Sequence, residues 1–316
     1  MSMSALPYII VTLGPTGAGK STLIGKTIAY LELDKNYTKI LVDDLVENND
    51  KYKSRVREII LSLEKRCKTK NKNCDISNYY LNPDEELITA FNTAYYDVRQ
   101  GNGCLPESNL TCDTQNDALL KRAIADNKNI VLELTGQTIP NWLLKAPFIT
   151  AGYNVIFSYV LVKFDILLVR NTQRTLNSVK KFMNNNIGSV PGPRLPEIRL
   201  TKFKEIVYSI KSTLLDLYSS CIKSHTPEKC GSTRINRLLI FDNNGKEMQL
   251  AFDSAKDSNQ IETVINAISP DNISNSKKYG GGTRKLKYGK RRNFSRMTRK
   301  RRSKIRVNKN NAKSIS

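Results

Sequence analysis

Residues 10–24 read IVTLGPTGAGKSTLI, and within them Gly14-Pro15-Thr16-Gly17-Ala18-Gly19-Lys20-Ser21 has the G-x-x-x-x-G-K-S spacing of a phosphate-binding loop. The flanks agree with that reading. Residues 8–13, YIIVTL, are an apolar run rich in β-branched residues between Pro7 and Gly14, which predicts a buried strand. A helix should open at Lys20 and run to about Leu31. Glycines at 14, 17 and 19 let the backbone approach phosphates closely, and their N–H groups, with the positive end of the helix, can surround the anion. Lys20 is expected to reach the β- and γ-phosphates and the Ser21 hydroxyl to ligate Mg²⁺, with Thr22 completing the loop. ATP or GTP is the expected ligand.

Further along, TKILVDD (38–44), NIVLELTG (129–136) and YNVIFSYVLV (153–162) read as buried strands. Helical patterns at 51–66, 84–100, 114–127 and 138–151 lie between or beside them. Strands alternating with helices predict an α/β fold of the P-loop NTPase type, a parallel sheet covered on both faces. A long amphipathic helix is expected over 164–185, followed by the Gly/Pro-rich loop NNNIGSVPGPRLP and a second helix over 197–223. Phe203, Val207, Ile210, Leu214, Leu217 and Cys221 recur there at helical spacing, the pattern of core packing. INRLLIFDNNGKEMQLAF places Asn-Gly between two apolar runs and predicts a C-terminal hairpin, and a last helix fits 256–268. The globular domain should therefore end near residue 270, with a disordered tail over 271–316.

The formal charge of +22 over 316 residues looks like that of a nucleic-acid binder until it is divided along the chain. Residues 277–316 hold 17 Lys/Arg and no acid, leaving 34 basic against 29 acidic residues in the rest. No apolar run is long enough to cross a bilayer, and MSMSALPYIIVTLG lacks the basic n-region of a secretory signal. Neither membrane association nor secretion is expected. A single histidine, His225, excludes zinc sites built on His pairs. The six cysteines (67, 74, 104, 112, 221 and 230) form no CxxC pair and read as scattered reduced thiols of an intracellular protein. The alternative is a disulfide or four-cysteine metal clip within 67–112 or across CIKSHTPEKC.

In an open parallel sheet, ligands bind beyond the carboxyl ends of the strands. Asp43-Asp44 and Glu133-Leu134-Thr135-Gly136 close two predicted strands, so they are candidates for the acceptor side. A carboxylate there can take the proton of a hydroxyl attacking the γ-phosphate. At this point the chain resembles the zeta-toxin group of P-loop kinases, some of which phosphorylate UDP-N-acetylglucosamine on a sugar hydroxyl. The resemblance runs from about residue 8 to 252, with an extra stretch at roughly 66–112. ILVDDLVENNDKYK is similar to the family segment that carries the catalytic base, which implies Asp44 in that role. NIVLELTGQT resembles the segment whose Glu and Thr hold the acceptor, here Glu133 and Thr135, and Asp117 stands where the family often has a substrate-binding glutamate. Two family arginines near the transferring phosphate fall on Arg174 and Arg194, with Arg170 and Arg199 as rivals, while Gln137 replaces a family arginine. Asp43 joins the substrate-binding candidates. The resemblance implies a kinase using ATP and Mg²⁺ on a small-molecule acceptor, and it leaves an antitoxin-like inhibitor open as a partner.

The run KKYGGGTRKLKYGKRRNFSRMTRKRRSKIR should bind nucleic acid or another polyanion, with affinity falling as salt rises, or serve nuclear import. In composition it is similar to tails on proteins of large DNA viruses, which implies a host-cell cytoplasmic or nuclear location, or a virion. Two other readings remain beside the small-molecule kinase. One is a polynucleotide or nucleoside kinase; the other is a nucleic-acid-associated protein whose nucleotide site is regulatory.

Overall fold

The computed structural model describes residues 6–70, 74–137, 139, 143, 152–185, 189–196, 200–224, 235–257 and 260–266. Tyr8–Leu13 forms β1, and all six of its side chains are buried. Lys20–Tyr30 forms α1, which turns Leu23, Ile24, Thr27 and Ile28 inward. There follow β2 (Thr38–Ile40), α2 (Val42–Asn48), α3 (Asp50–Lys70), α4 (Ser77–Leu81), α5 (Glu85–Gln100), α6 (Cys112–Ala125) and β3 (Ile130–Leu134). The chain continues through β4 (Asn154–Leu161), α7 (Phe164–Met183), α8 (Leu200–Asp216), a π-helical turn (Leu217–Lys223), β5 (Ile235–Asp242), β6 (Gln249–Asp253) and α9 (Ile261–Asn266).

The six strands lie in the order β2-β3-β1-β4-β5-β6. The first five are parallel, and β6 returns antiparallel along β5, as the Asn-Gly turn predicts. The protein is therefore an α/β fold with a mostly parallel sheet between helices. The register sets Thr12 beside Glu133, so β1 and β3 end together and deliver the phosphate loop and the Glu133–Thr135 segment to one edge. A backbone bond from Gly14 N to Thr135 O (3.2 Å) ties the two. Two buried polar residues are satisfied within the sheet layer: the Thr27 hydroxyl donates to Ser158 Oγ (2.9 Å), and the Thr12 hydroxyl donates to the Leu132 carbonyl (3.1 Å). The stripe on α8 is core, with Phe203, Val207, Ile210 and Leu214 all buried.

One strand is shorter than its sequence predicts. Parallel pairing of β2 stops at Ile40, and Asp43 and Asp44 occupy the first turn of α2 instead of a strand end. Two carboxylates there complement the positive end of the helix macrodipole, which favours helix over continued strand.

A second hydrophobic core lies against α2 through α5 and reaches α7 and the 190–195 loop; Tyr52, Phe91 and Phe182 are among its most buried members. Each such aromatic contributes roughly 2–3 kcal/mol through burial. The extra stretch builds much of this core, and two disulfides staple it, Cys67–Cys74 and Cys104–Cys112. The expectation of scattered reduced thiols is thus corrected for these four residues. Their Cα separations of 5.5 and 4.9 Å lie within bridging range, a proximity created by the end of α3 and by the turn before α6. Arg99 adds a forked pair to Asp113 at 2.7–3.1 Å, joining α5 to α6. No helix among the described residues is long and apolar enough to cross a membrane. The predicted helix over 138–151 (apart from 139 and 143), Arg199, His225, Cys230 and the 277–316 tail lie outside the described residues.

Candidate active site

The phosphate loop leaves β1 and enters α1 through Gly19, whose φ of 100° is left-handed. The helix start has no side-chain cap and no acid in its first turn, so its N–H groups remain for an anion. Lys20 turns over the loop, its ammonium donating to the carbonyls of Gly14 (3.0 Å) and Pro15 (3.4 Å). Burial pulls its pKa below the ordinary lysine value, with Glu133 and Asp43 partly opposing that shift.

Two asparagines clamp the loop from outside. Asn171, the buried eighth residue of α7, donates its amide N–H to Thr16 O (2.7 Å), and Asn243, just after β5, donates to Ala18 O (2.8 Å). The contacts are close enough to require glycine. A Cβ on Gly17 (φ 82°) would sit 2.3 Å from the Asn171 amide, and one on Gly19 would sit 2.6 Å from Asn243 Nδ2. Arg170 donates through Nη2 to Asn243 O (3.1 Å), while its buried Nη1 has no hydrogen-bond partner among the described residues.

In front of the loop lies a cavity of about 400 Å³, within the range of small-ligand sites. Thr16, Gly17, Gly19, Lys20 and Ser21 line it on one side; Asp43, Asp44, Glu133, Thr135, Arg174 and Arg194 face them. The fold thus brings together most of the residues singled out from sequence. Pro15, Ala18 and Gly14 are buried, and Thr22 is exposed on α1. Asp117 is exposed on α6 and does not line the cavity.

The two aspartates have different surroundings. Asp43 accepts from Tyr95 Oη (2.5 Å) through one oxygen and pairs with Arg194 through the other. Burial raises its pKa, but Arg194 and the Tyr95 hydroxyl outweigh burial and hold it below the usual carboxylate range. Arg194 is fixed by the same pair and lies 4.4 Å from the centre of the Tyr95 ring. Asp44 is half-exposed and sits 3.5 Å from Lys39 Nζ, which also pairs with Glu133 (3.3 Å). Burial works against the Lys39 ammonium, yet the two carboxylates raise its pKa overall.

Glu47, one turn beyond Asp43 on α2, is a third carboxylate at the cavity and lies 3.9 Å from Arg194. Burial, reinforced by Asp43 and Asp44 and opposed by Arg194 and Arg174, pushes its pKa up to about 7. Lys39, Glu47, Tyr95, Asn171 and Asn243 were not among the residues singled out from sequence. Only the charge of Lys39 and Glu47 beside the Asp-Asp pair was a readable signal; the other three become site residues through tertiary contacts.

The donor set fits a nucleoside triphosphate with Mg²⁺: an uncapped helix start, an ammonium held at the loop, the Ser21 hydroxyl facing the cavity, and a buried guanidinium nitrogen without a partner among the described residues.

No protein-family model matches this chain, and neither does any curated protein. Among solved structures, it is similar to one from the PezAT chromosomal toxin–antitoxin system of the human pathogen Streptococcus pneumoniae. The two are 13% identical, with a TM-score of 0.45, and the match covers 84% of this chain and 78% of that one.

Proposed function

We propose that this protein is a phosphotransferase that moves the γ-phosphate of ATP to a hydroxyl of a small molecule, a nucleotide sugar such as UDP-N-acetylglucosamine being the leading acceptor. One observation carries the reading: a phosphate loop and a row of carboxylates on α2 face each other across a single cavity. Bound ATP would supply the phosphoryl group, and Mg²⁺ would offset the negative charge on its oxygens. The loop N–H groups and Lys20 hold the phosphates, and Ser21 is the metal-ligating hydroxyl. Asp44 takes the proton of the acceptor hydroxyl. Asp43 cannot do this without losing both Arg194 and Tyr95, whereas Asp44 faces the cavity with Lys39 beside it. Arg174 and Arg194 offset the negative charge that develops during transfer. Glu133 and Thr135 orient the acceptor, with Lys39 holding Glu133 in place.

The test is transfer of label from γ-labelled ATP to a panel of nucleotide sugars, nucleosides and 5′-hydroxyl oligonucleotides. Asp44→Asn should lower transfer on the order of 10²–10⁴-fold while leaving ATP affinity within about twofold. Undiminished transfer by that variant removes Asp44 as the base. A polynucleotide acceptor is the second reading, supported by the 17 Lys/Arg of residues 277–316. It requires that deleting those residues raise the KM for an oligonucleotide and flatten its salt dependence.

A further inference from the structure

The strand order sets the direction in which a nucleotide lies along the main cavity. Asp44 and Glu133 stand at the ends of β2 and β3, the phosphate loop follows β1, and Asn243 follows β5, on the opposite side of the loop. A triphosphate whose γ end faces those carboxylates therefore points its nucleoside end toward β4 and β5. The start of α7 is held on that side, where Lys163 N, just before the helix, donates to Asn244 Oδ1 (2.6 Å). From there α7 runs toward the 190–195 loop, and Thr175 Oγ1 donates to Arg194 O (3.3 Å).

Arg170 and Arg174 both line the cavity from α7, one turn and about 6 Å apart along the helix. Their settings differ. Arg174 precedes Thr175 and its charge acts on Glu47, which places it toward α2. Arg170 is pinned at the other end: Nη2 donates to Asn243 O (3.1 Å) and Oδ1 (3.4 Å). Asn243 in turn grips Ala18 O (2.8 Å) and packs against Gly19, so the guanidinium is tied to the loop where α1 begins. One edge of it is left over, because Nη1 is buried without a hydrogen-bond partner among the described residues. A charged donor left unbonded away from water is costly, and at a cavity wall the group that can satisfy it is a ligand oxygen.

We propose that Arg170 grips the donor nucleotide, its Nη1 donating to the phosphate next to the nucleoside, while Arg174 and Arg194 serve the transferring phosphate. Two arginines one turn apart thus divide into a residue of binding and a residue of the transfer step. Asn243 has two tasks in this arrangement, shaping the loop through Ala18 and aiming the arginine. The proposal rests on the phosphotransferase reading for the direction in which the nucleotide lies, while the contact itself is measured by binding, without turnover.

The experiment is calorimetric titration of the full chain with ADP and with a non-hydrolysable ATP analogue, each with Mg²⁺, at about 0.15 M salt so that long-range charge is screened. Arg170→Ala should weaken both nucleotides by the same factor, about 10- to 100-fold. Arg174→Ala should weaken the analogue more than ADP. Arg170→Lys keeps the charge and the stem but lacks the second edge of the fork, so it should still lose about fivefold, and it decides the matter if the alanine variant does not fold. Phosphorus NMR of bound ADP separates a contact from mere support of the loop. Substitution of Arg170 should move the α signal and leave the β signal in place, whereas a disturbed loop moves both. ADP affinity within about twofold of wild type in folded Arg170→Ala or Arg170→Lys overturns the proposal. So does a β signal that moves with the α signal, or a wild type that binds neither nucleotide. A wild type that binds ADP through Arg170 and labels no acceptor refutes the proposed function and leaves this contact standing; label transfer with undiminished ADP affinity in Arg170→Ala does the reverse.

Discussion

Replacing Glu47 by Gln should change the pH dependence of stability in a defined direction. The Glu47 side chain is 16% exposed, and its pKa rises from an ordinary 4.5 to about 7, chiefly through burial. In the unfolded chain the carboxyl ionises near its ordinary value; in the folded protein it holds its proton to higher pH. Folding therefore takes up a proton between those two values, and stability falls as pH rises through that window. The contribution is fully present below about pH 4.5, is lost progressively up to about 7 and stays lost above. Converted at 1.36 kcal/mol per pKa unit, the whole span is on the order of 3 kcal/mol. Gln keeps the shape and the backbone carbonyl that holds Gly192 but carries no charge at any pH. The stability difference between Glu47→Gln and wild type should thus move in favour of the variant by about 3 kcal/mol between pH 4.5 and 8. Urea denaturation of both proteins across that range measures it, because the other titrating groups cancel in the difference. A difference that stays constant within about 0.5 kcal/mol would refute the argument that burial dominates the Glu47 environment.

Other outcomes follow from neighbouring features. Tyr95→Phe removes the hydroxyl from Asp43 and should cost about 1–3 kcal/mol of stability, with the Asp43 pKa rising toward the ordinary carboxylate value; denaturation midpoints and carboxyl NMR titration read the two effects. Gly17→Ala should abolish nucleotide binding in an equilibrium titration without unfolding the protein, since its Cβ meets the Asn171 amide and its φ is left-handed. Reducing the Cys67–Cys74 and Cys104–Cys112 bonds should cost roughly 2–3 kcal/mol each by loop-closure entropy, seen as a lower melting temperature in the presence of a thiol reductant.

The phosphate-loop half of the candidate site was legible because its sequence signal is local. The strand, glycine-rich turn and helix start that this pattern requires follow one another over residues 8–30. The facing wall of the cavity is assembled from distant pieces. Asp43 and Asp44 were expected at a strand end and lie in a helix, because an edge strand of three residues leaves the next preference to the chain. A reading that weighed two acids against a helix start could have found this. Tyr95 looked like one tyrosine among several, and its place over Arg194 depends on the packing of α5 against α2 and α3. The cysteine pairing could not be read from spacing, since connectivity is fixed by the tertiary path and not by the count.

The asparagine clamp has a consequence for how the chain matures. Its two hydrogen bonds span 155 and 225 residues of sequence, joining the loop near the N-terminus to segments that follow β4 and β5. During synthesis the glycine-rich segment emerges long before the residues that set its shape. Capture of a triphosphate should therefore appear late in folding, once β5 has joined the sheet, and chains truncated before Asn243 should lack it. A fluorescent ATP analogue would then act as a clock for completion of the sheet.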